Sequence, residues 1–232
     1  MKRMTAEILS FRGVGSMRNM LNGRTVHICD PNTGKTREFY YEYRGRTFDY
    51  CIGDVIEFEY TEPSSFFQSF FVRNEMHNII GRVGNTILDE QLEKLPNARA
   101  RMVKDSNNPS VATLLSDKDK FDFDFSSSIK LTGSLESITK LTFEAIRSIE
   151  GFCFFTPDTE SLIDEFTPCL EAQFSVYEWK RGYSINIITV VEPVSDMSAI
   201  VHILGIVLEG KDRVAVMNQA QMKISEIIAK LS

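Results

Sequence analysis

The residues able to do chemistry are few, and each stands beside something that denies it the role. Asp30-Pro31-Asn32-Thr33-Gly34-Lys35-Thr36 ends in the Gly-Lys-Thr of a phosphate-binding loop. Such a loop opens on a glycine whose backbone N–H wraps the anion, and that place is held by Cys29. The residues that follow, Arg37-Glu38-Phe39-Tyr40-Tyr41-Glu42, read as strand, so no helix N-terminus faces a phosphate. The string is read as a polar hairpin turn. Gly13-Val14-Gly15-Ser16 lacks the third glycine of a dinucleotide site, and Gly81-Arg82-Val83-Gly84 is weaker still. No serine sits in a G-x-S-x-G elbow.

Metal chemistry finds no better footing. His27, His77 and His202 are far apart, and none pairs with Cys or Glu at ligand spacing. His202, inside an apolar segment, reads as a core or sheet-face histidine. Asp117, Asp119, Asp122 and Asp124 imitate a calcium loop but lack its central glycine and terminal glutamate. Two acidic pairs remain as a candidate site: Asp122 with Asp124 on one strand face, and Glu160 with Asp164 one helical turn apart. Such carboxylates run acid/base chemistry only in unlike environments around a substrate, so a solvated surface is the simpler reading. No cofactor and no metal are expected.

The binding surface is sought instead where arginine and tyrosine mix. Arg37, Tyr41, Tyr43, Arg44, Arg46 and Tyr50 lie in one N-terminal stretch. Aromatic anchors and guanidinium groups supply most of the affinity in protein interfaces. The expectation is therefore a non-enzymatic interaction or accessory protein that engages another protein through this surface. Single-stranded nucleic acid is the first alternative, because rings stack bases and arginines meet phosphates; Glu38, Glu42, Asp49, Glu57 and Glu59 interrupt any positive groove. The second alternative is a small-ligand binder or enzyme with a cavity in the C-terminal half.

Composition sets the outer bounds. The net charge of -6 argues against general affinity for nucleic acid or anionic membrane, and the acidic excess lies beyond residue 60. The longest apolar run, residues 199–208, is interrupted by His202 and Gly205 and is too short to span a bilayer. No secretory signal is evident, and Cys29, Cys51, Cys153 and Cys169 form no CxxC pair. A cytoplasmic protein with reduced thiols and no membrane partner is expected. Oligomeric state is left open.

These residues need elements to position them. Residues 4–11, the segment after Asn22-Gly23, and residues 38–43, 47–50, 55–60 and 66–72 read as short strands joined by turns. Val55, Glu57 and Glu59 fall on one face, with Ile56, Phe58 and Tyr60 on the other. Such a run fits a small β-rich module over residues 1–95, an OB-like or SH3-like barrel. Residues 87–95 predict a short helix, and 96–116 a connecting segment. The rest, 117–232, reads as an α+β module: a strand over 121–125, a helix capped by Ser134, a strand at 152–155 and a helix from Pro157 through Phe166. Strands at 170–179, 183–191 and 199–208 follow, with a turn at 193–196, and a helix over 211–231 closes the chain. The predicted fold is α+β, with two or three helices covering a mostly antiparallel sheet.

Overall fold

The computed structural model describes residues 1–15, 22–43, 49–64, 72–104, 111, 123–149, 152–155, 167–176, 183–210 and 212–232. The chain divides into two units, Met1–Thr86 and Ile87–Ser232.

The first unit contains β1 (Lys2–Gly15), β2 (Asn22–Cys29), β3 (Thr36–Tyr43), β4 (Asp54–Thr61) and β5 (Glu75–Asn85). Alternation decides what they bury. Ile56, Phe58 and Tyr60 on β4 turn inward, as do Val26 and Ile28 on β2 and Phe39 on β3. Phe39 meets Phe58 edge-on at 5.4 Å and Tyr60 at 5.3 Å. Each fully buried Phe stabilises the fold by roughly 2–3 kcal/mol relative to exposure. The Asp30–Gly34 string is a turn: Gly34 N–H donates to the Asp30 carbonyl at 2.8 Å, with Gly34 at φ 65°.

The strands pair in the order β1-β2-β3-β5-β4 and return to β1. Four of these seams are antiparallel. The seam between β3 and β5 is parallel and holds two pairs, Tyr40 with Glu75 and Tyr41 with Met76. Asn74 fastens the same spot, accepting from the Tyr40 N–H at 2.9 Å and donating from its amide to the Glu38 carbonyl at 2.9 Å. The expected OB-like or SH3-like barrel is corrected to a five-stranded ring that closes only through this two-pair seam, not along the whole of β3 and β5. The physical reason lies in β5, whose three register shifts against β4 bend it to follow that strand.

Other expectations also change. The fifth strand is 75–85, where none was predicted. Asn22 and Gly23 are no turn but the start of β2. The Tyr40 ring lies over Gly23, where a Cβ would stand 2.5 Å from the Tyr40 hydroxyl, so any larger residue there would have to displace the ring. Asp49, Tyr50 and Val72 carry no strand, and the rest of the strands read at 47–50 and 66–72 lies outside the described residues.

The second unit opens with α1 (Thr86–Lys104), followed by β6 (Phe125–Thr132), α2 (Leu135–Arg147), β7 (Phe152–Phe155), β8 (Cys169–Val176), β9 (Tyr183–Ser195), β10 (Ser198–Gly210) and α3 (Arg213–Leu231). Much of the segment expected as a connection is thus helix. The stripe of Ile87, Gln91, Leu95 and Ala98, all buried, runs straight through Pro96 at helical spacing. The proline removes one hydrogen bond, and the buried stripe offsets it. The expected strand at 121–125 is corrected too. β6 begins only at Phe125, and Asp124 is a bend. The helix read from Pro157 through Phe166 lies outside the described residues. β9 continues through Pro193 to Ser195, beyond the turn predicted there.

The sheet is antiparallel throughout, in the order β6-β10-β9-β8-β7. Ser134 caps α2 by accepting from the Ser137 N–H, and Asp212 caps α3 through the Ala215 N–H. Val216, Ala220, Ile224, Ile227 and Leu231 give α3 its buried stripe. Gly205 admits that helix closely to the sheet, since a Cβ there would lie 3.1 Å from Phe125 and 3.5 Å from Ile224. The opposite face carries a second apolar cluster of Cys169, Ile188, Val190 and Leu204, joined by Val111, Phe123 and Ile206.

Candidate functional site

Arg37 was expected at the binding surface, and the structure takes it away. Its side chain follows Phe39 to the inner face of β3, where the guanidinium sits 5.1 Å from the Phe39 ring and 5.7 Å from that of Tyr60. It donates to Asp30 at 3.2 Å and to Glu62 at 2.8 Å, and Lys2 also pairs with Glu62. The Asn32 backbone N–H, and after it Arg37, hold the Asp30 carboxyl below its usual range, against an opposing effect of burial. Lys2, then Arg37, do the same for Glu62. These charges are spent on one another.

Tyr41 and Tyr43 lie further along the same face of β3. Their rings stack at 6.0 Å with 13° between planes. Tyr41 and Tyr50 both pack against the curled sheet's core, as does Phe11. Burial raises the Tyr41 hydroxyl pKa, with Tyr50 and Asp49 adding to it. Arg24, directly across from Tyr41, places its guanidinium 5.9 Å from the Phe11 ring. Tyr40 faces the other way under Arg73, 3.9 Å from its ring centre. Of the six expected residues, Tyr41, Tyr43 and Tyr50 are brought together, Arg37 is engaged by Asp30 and Glu62, and Arg44 and Arg46 lie outside the described residues.

Of the four acidic candidates, only Asp124 is among the described residues. Asp124 is structural: it accepts from the Val207 N–H at 2.8 Å and from Arg213 at 2.9 Å, tying β10 to the start of α3. Asp122, Glu160 and Asp164 lie outside the described residues. No group of His, Cys, Asp and Glu among the described residues is arranged to hold a metal ion. No described helix is long and apolar enough to cross a membrane. Cys29 carries a free thiol.

Comparison with protein-family models, curated proteins and solved structures finds no match to this chain. The molecule must be read from its own residues.

One constellation escaped the sequence reading. His202, buried at 3 % exposure, is bonded at both ring nitrogens. Nε2 lies 2.7 Å from Glu192 Oε2, and Nδ1 lies 2.9 Å from the Ser128 hydroxyl. The other Glu192 oxygen accepts from the Val111 N–H at 2.6 Å. Ser128 itself is exposed. The only signal in the sequence was a histidine and a glutamate, ten residues apart, inside apolar strands. Ser128 is 74 residues from His202, and only strand pairing could join them.

Proposed function

We propose that this protein is an interaction protein, and that the aromatic cluster of its N-terminal unit binds a protein partner without chemistry at that surface. The observation that carries the reading is the half-buried group of Phe11, Tyr41, Tyr43 and Tyr50. Stacked, core-supported rings lose little conformational freedom on binding, and covering their exposed parts removes apolar surface from water. Sequestration of Arg37 favours a protein over a single-stranded nucleic acid, because the phosphates lose one of their expected cations. Exposed Glu42 and Asp49 add negative charge in the same stretch. The free thiol of Cys29 fits a reducing compartment, and cytoplasmic residence is part of the proposal.

The test places a photo-crosslinking amino acid at Glu42, beside the tyrosine pair, in cells that make the protein. One discrete protein adduct, lost when Tyr41→Ala and Tyr43→Ala are combined, is the expected outcome. Crosslinks to nucleic acid, together with salt-sensitive micromolar binding of short single-stranded DNA or RNA by the purified protein, would overturn the reading.

A further inference from the structure

We propose that Ser128, His202 and Glu192 form a nucleophilic relay that takes an acyl group from an activated ester onto the Ser128 hydroxyl. This is a second activity, independent of the N-terminal interaction surface. Strand register builds it. Ser128 on β6 stands directly opposite His202 on β10. Glu192 on β9 stands opposite Ile200, one same-face position along from His202. The three strands are neighbours, and cross-strand and diagonal partners on one face come within side-chain reach.

The hydrogen bonds fix the chemistry. A carboxylate only accepts, so the 2.7 Å contact puts the imidazole proton on Nε2, donated to Glu192. Nδ1 is left with its lone pair facing Ser128, which donates its hydroxyl proton across 2.9 Å. These are the nucleophile, general base and orienting carboxylate by which serine is activated, here with the roles of the two ring nitrogens exchanged. Glu192 is itself held by the Val111 N–H, so it is a positioning residue with little freedom. The buried base and the exposed nucleophile match what such a relay requires. The imidazole is shielded, while the oxygen that must meet a substrate reaches solvent.

The step balances. Ser128 Oγ bonds to the acyl carbon as its proton passes to His202 Nδ1, and Glu192 stabilises the imidazolium. The tetrahedral oxyanion then collapses, the bond to the leaving oxygen breaks, and the departing alcohol takes the proton from Nδ1. Water repeats the sequence and releases the carboxylic acid. Lys130, exposed and two residues along the same face of β6, is placed to offset the oxyanion's charge.

The experiment treats the full chain with p-nitrophenyl acetate, follows p-nitrophenol release, and maps the acetylated peptide by mass spectrometry. Acetyl on Ser128, with loss of the burst in Ser128→Ala, is expected. His202→Gln should slow acylation about 100-fold, the contribution of a positioned base. Glu192→Gln should lower the maximal acylation rate without changing the half-saturating ester concentration, a split that a purely structural glutamate would not produce. Thermal melts accompany each variant. Because Ser128 is exposed, Ser128→Ala remains decisive even where a buried-site variant fails to fold. Absence of acetyl from Ser128 in the folded wild type, or an equal burst in Ser128→Ala, overturns the proposal.

Discussion

Asp54 in the N-terminal unit and Glu192 in the C-terminal unit are both buried carboxylates, yet their hydrogen bonds end in different places. Asp54, with no exposed surface, accepts from the Cys51 N–H at 2.8 Å and from the Asn85 amide at 2.9 Å, with Arg82 3.8 Å away. Asn85 turns its amide to the Ile52 carbonyl as well, at 3.5 Å, so the bonds described return to the protein. Glu192 accepts from Val111 and from His202, and His202 passes the connection to Ser128 at the surface. A network whose described bonds end on backbone and amide groups holds structure. One that runs from a buried carboxylate to an exposed hydroxyl can also move a proton to where a substrate could stand.

The sharpest way to break this contrast is Asp54→Ala. It removes the acceptor of a backbone N–H and of an amide at a position with no exposed surface. The expected cost is about 3 kcal/mol, because charge-assisted hydrogen bonds are strong and orphaned donors are expensive. Denaturant unfolding reads it directly, as a fall in midpoint. A change below about 0.5 kcal/mol, the range of ordinary surface substitutions, would show that Asp54 is not the structural anchor of its network.

Neither network was legible in the sequence, although much of the scaffold was. Period-two alternation gave the inward face of β4, and the Ser134 cap located the start of α2 within one residue. Local patterns of this kind are carried by a few consecutive side chains. The fifth strand of the curled sheet was missed because β5 breaks its alternation with register shifts, which scatter the periodic signal. The far half of α1 was missed because Pro96 outweighed a buried stripe that continues past it. The ion pairs of Arg37 were out of reach for a related reason: its partners Asp30 and Glu62 are brought to it only by the fold. Asp54, Asn85, Ser128, Glu192 and His202 meet through long-range pairing, which single-sequence spacing does not encode.

A smaller effect is expected where carboxylates stay near water. Glu62 is held below its ordinary value of 4.5, first by Lys2 and then by Arg37. A carboxyl whose folded pKa is depressed contributes stability that is fully present above its unfolded pKa. That contribution is lost as pH falls through the folded pKa. Thermal melts of wild type and Glu62→Gln should therefore differ at neutral pH, with wild type the more stable, by less than the Asp54→Ala effect. The gap should begin to close below pH 4.5 and continue to shrink in stronger acid. A gap independent of pH would mean that Glu62 acts through shape and not through charge.

The smallest effect belongs to Ser128→Ala, and its smallness matters. Removing an exposed hydroxyl takes one partner from His202 Nδ1, at the end of the chain where water can replace it, so folding stability should change by less than about 0.5 kcal/mol. The contrast with Asp54 then becomes a contrast in function. The Asp54 network holds the fold of its unit, whereas the Glu192 network contributes little at its exposed end and leaves that end available for reaction. If Ser128→Ala instead destabilised the second unit as strongly as Asp54→Ala does the first, the serine would be part of a closed structural network. The two buried carboxylates would then be alike.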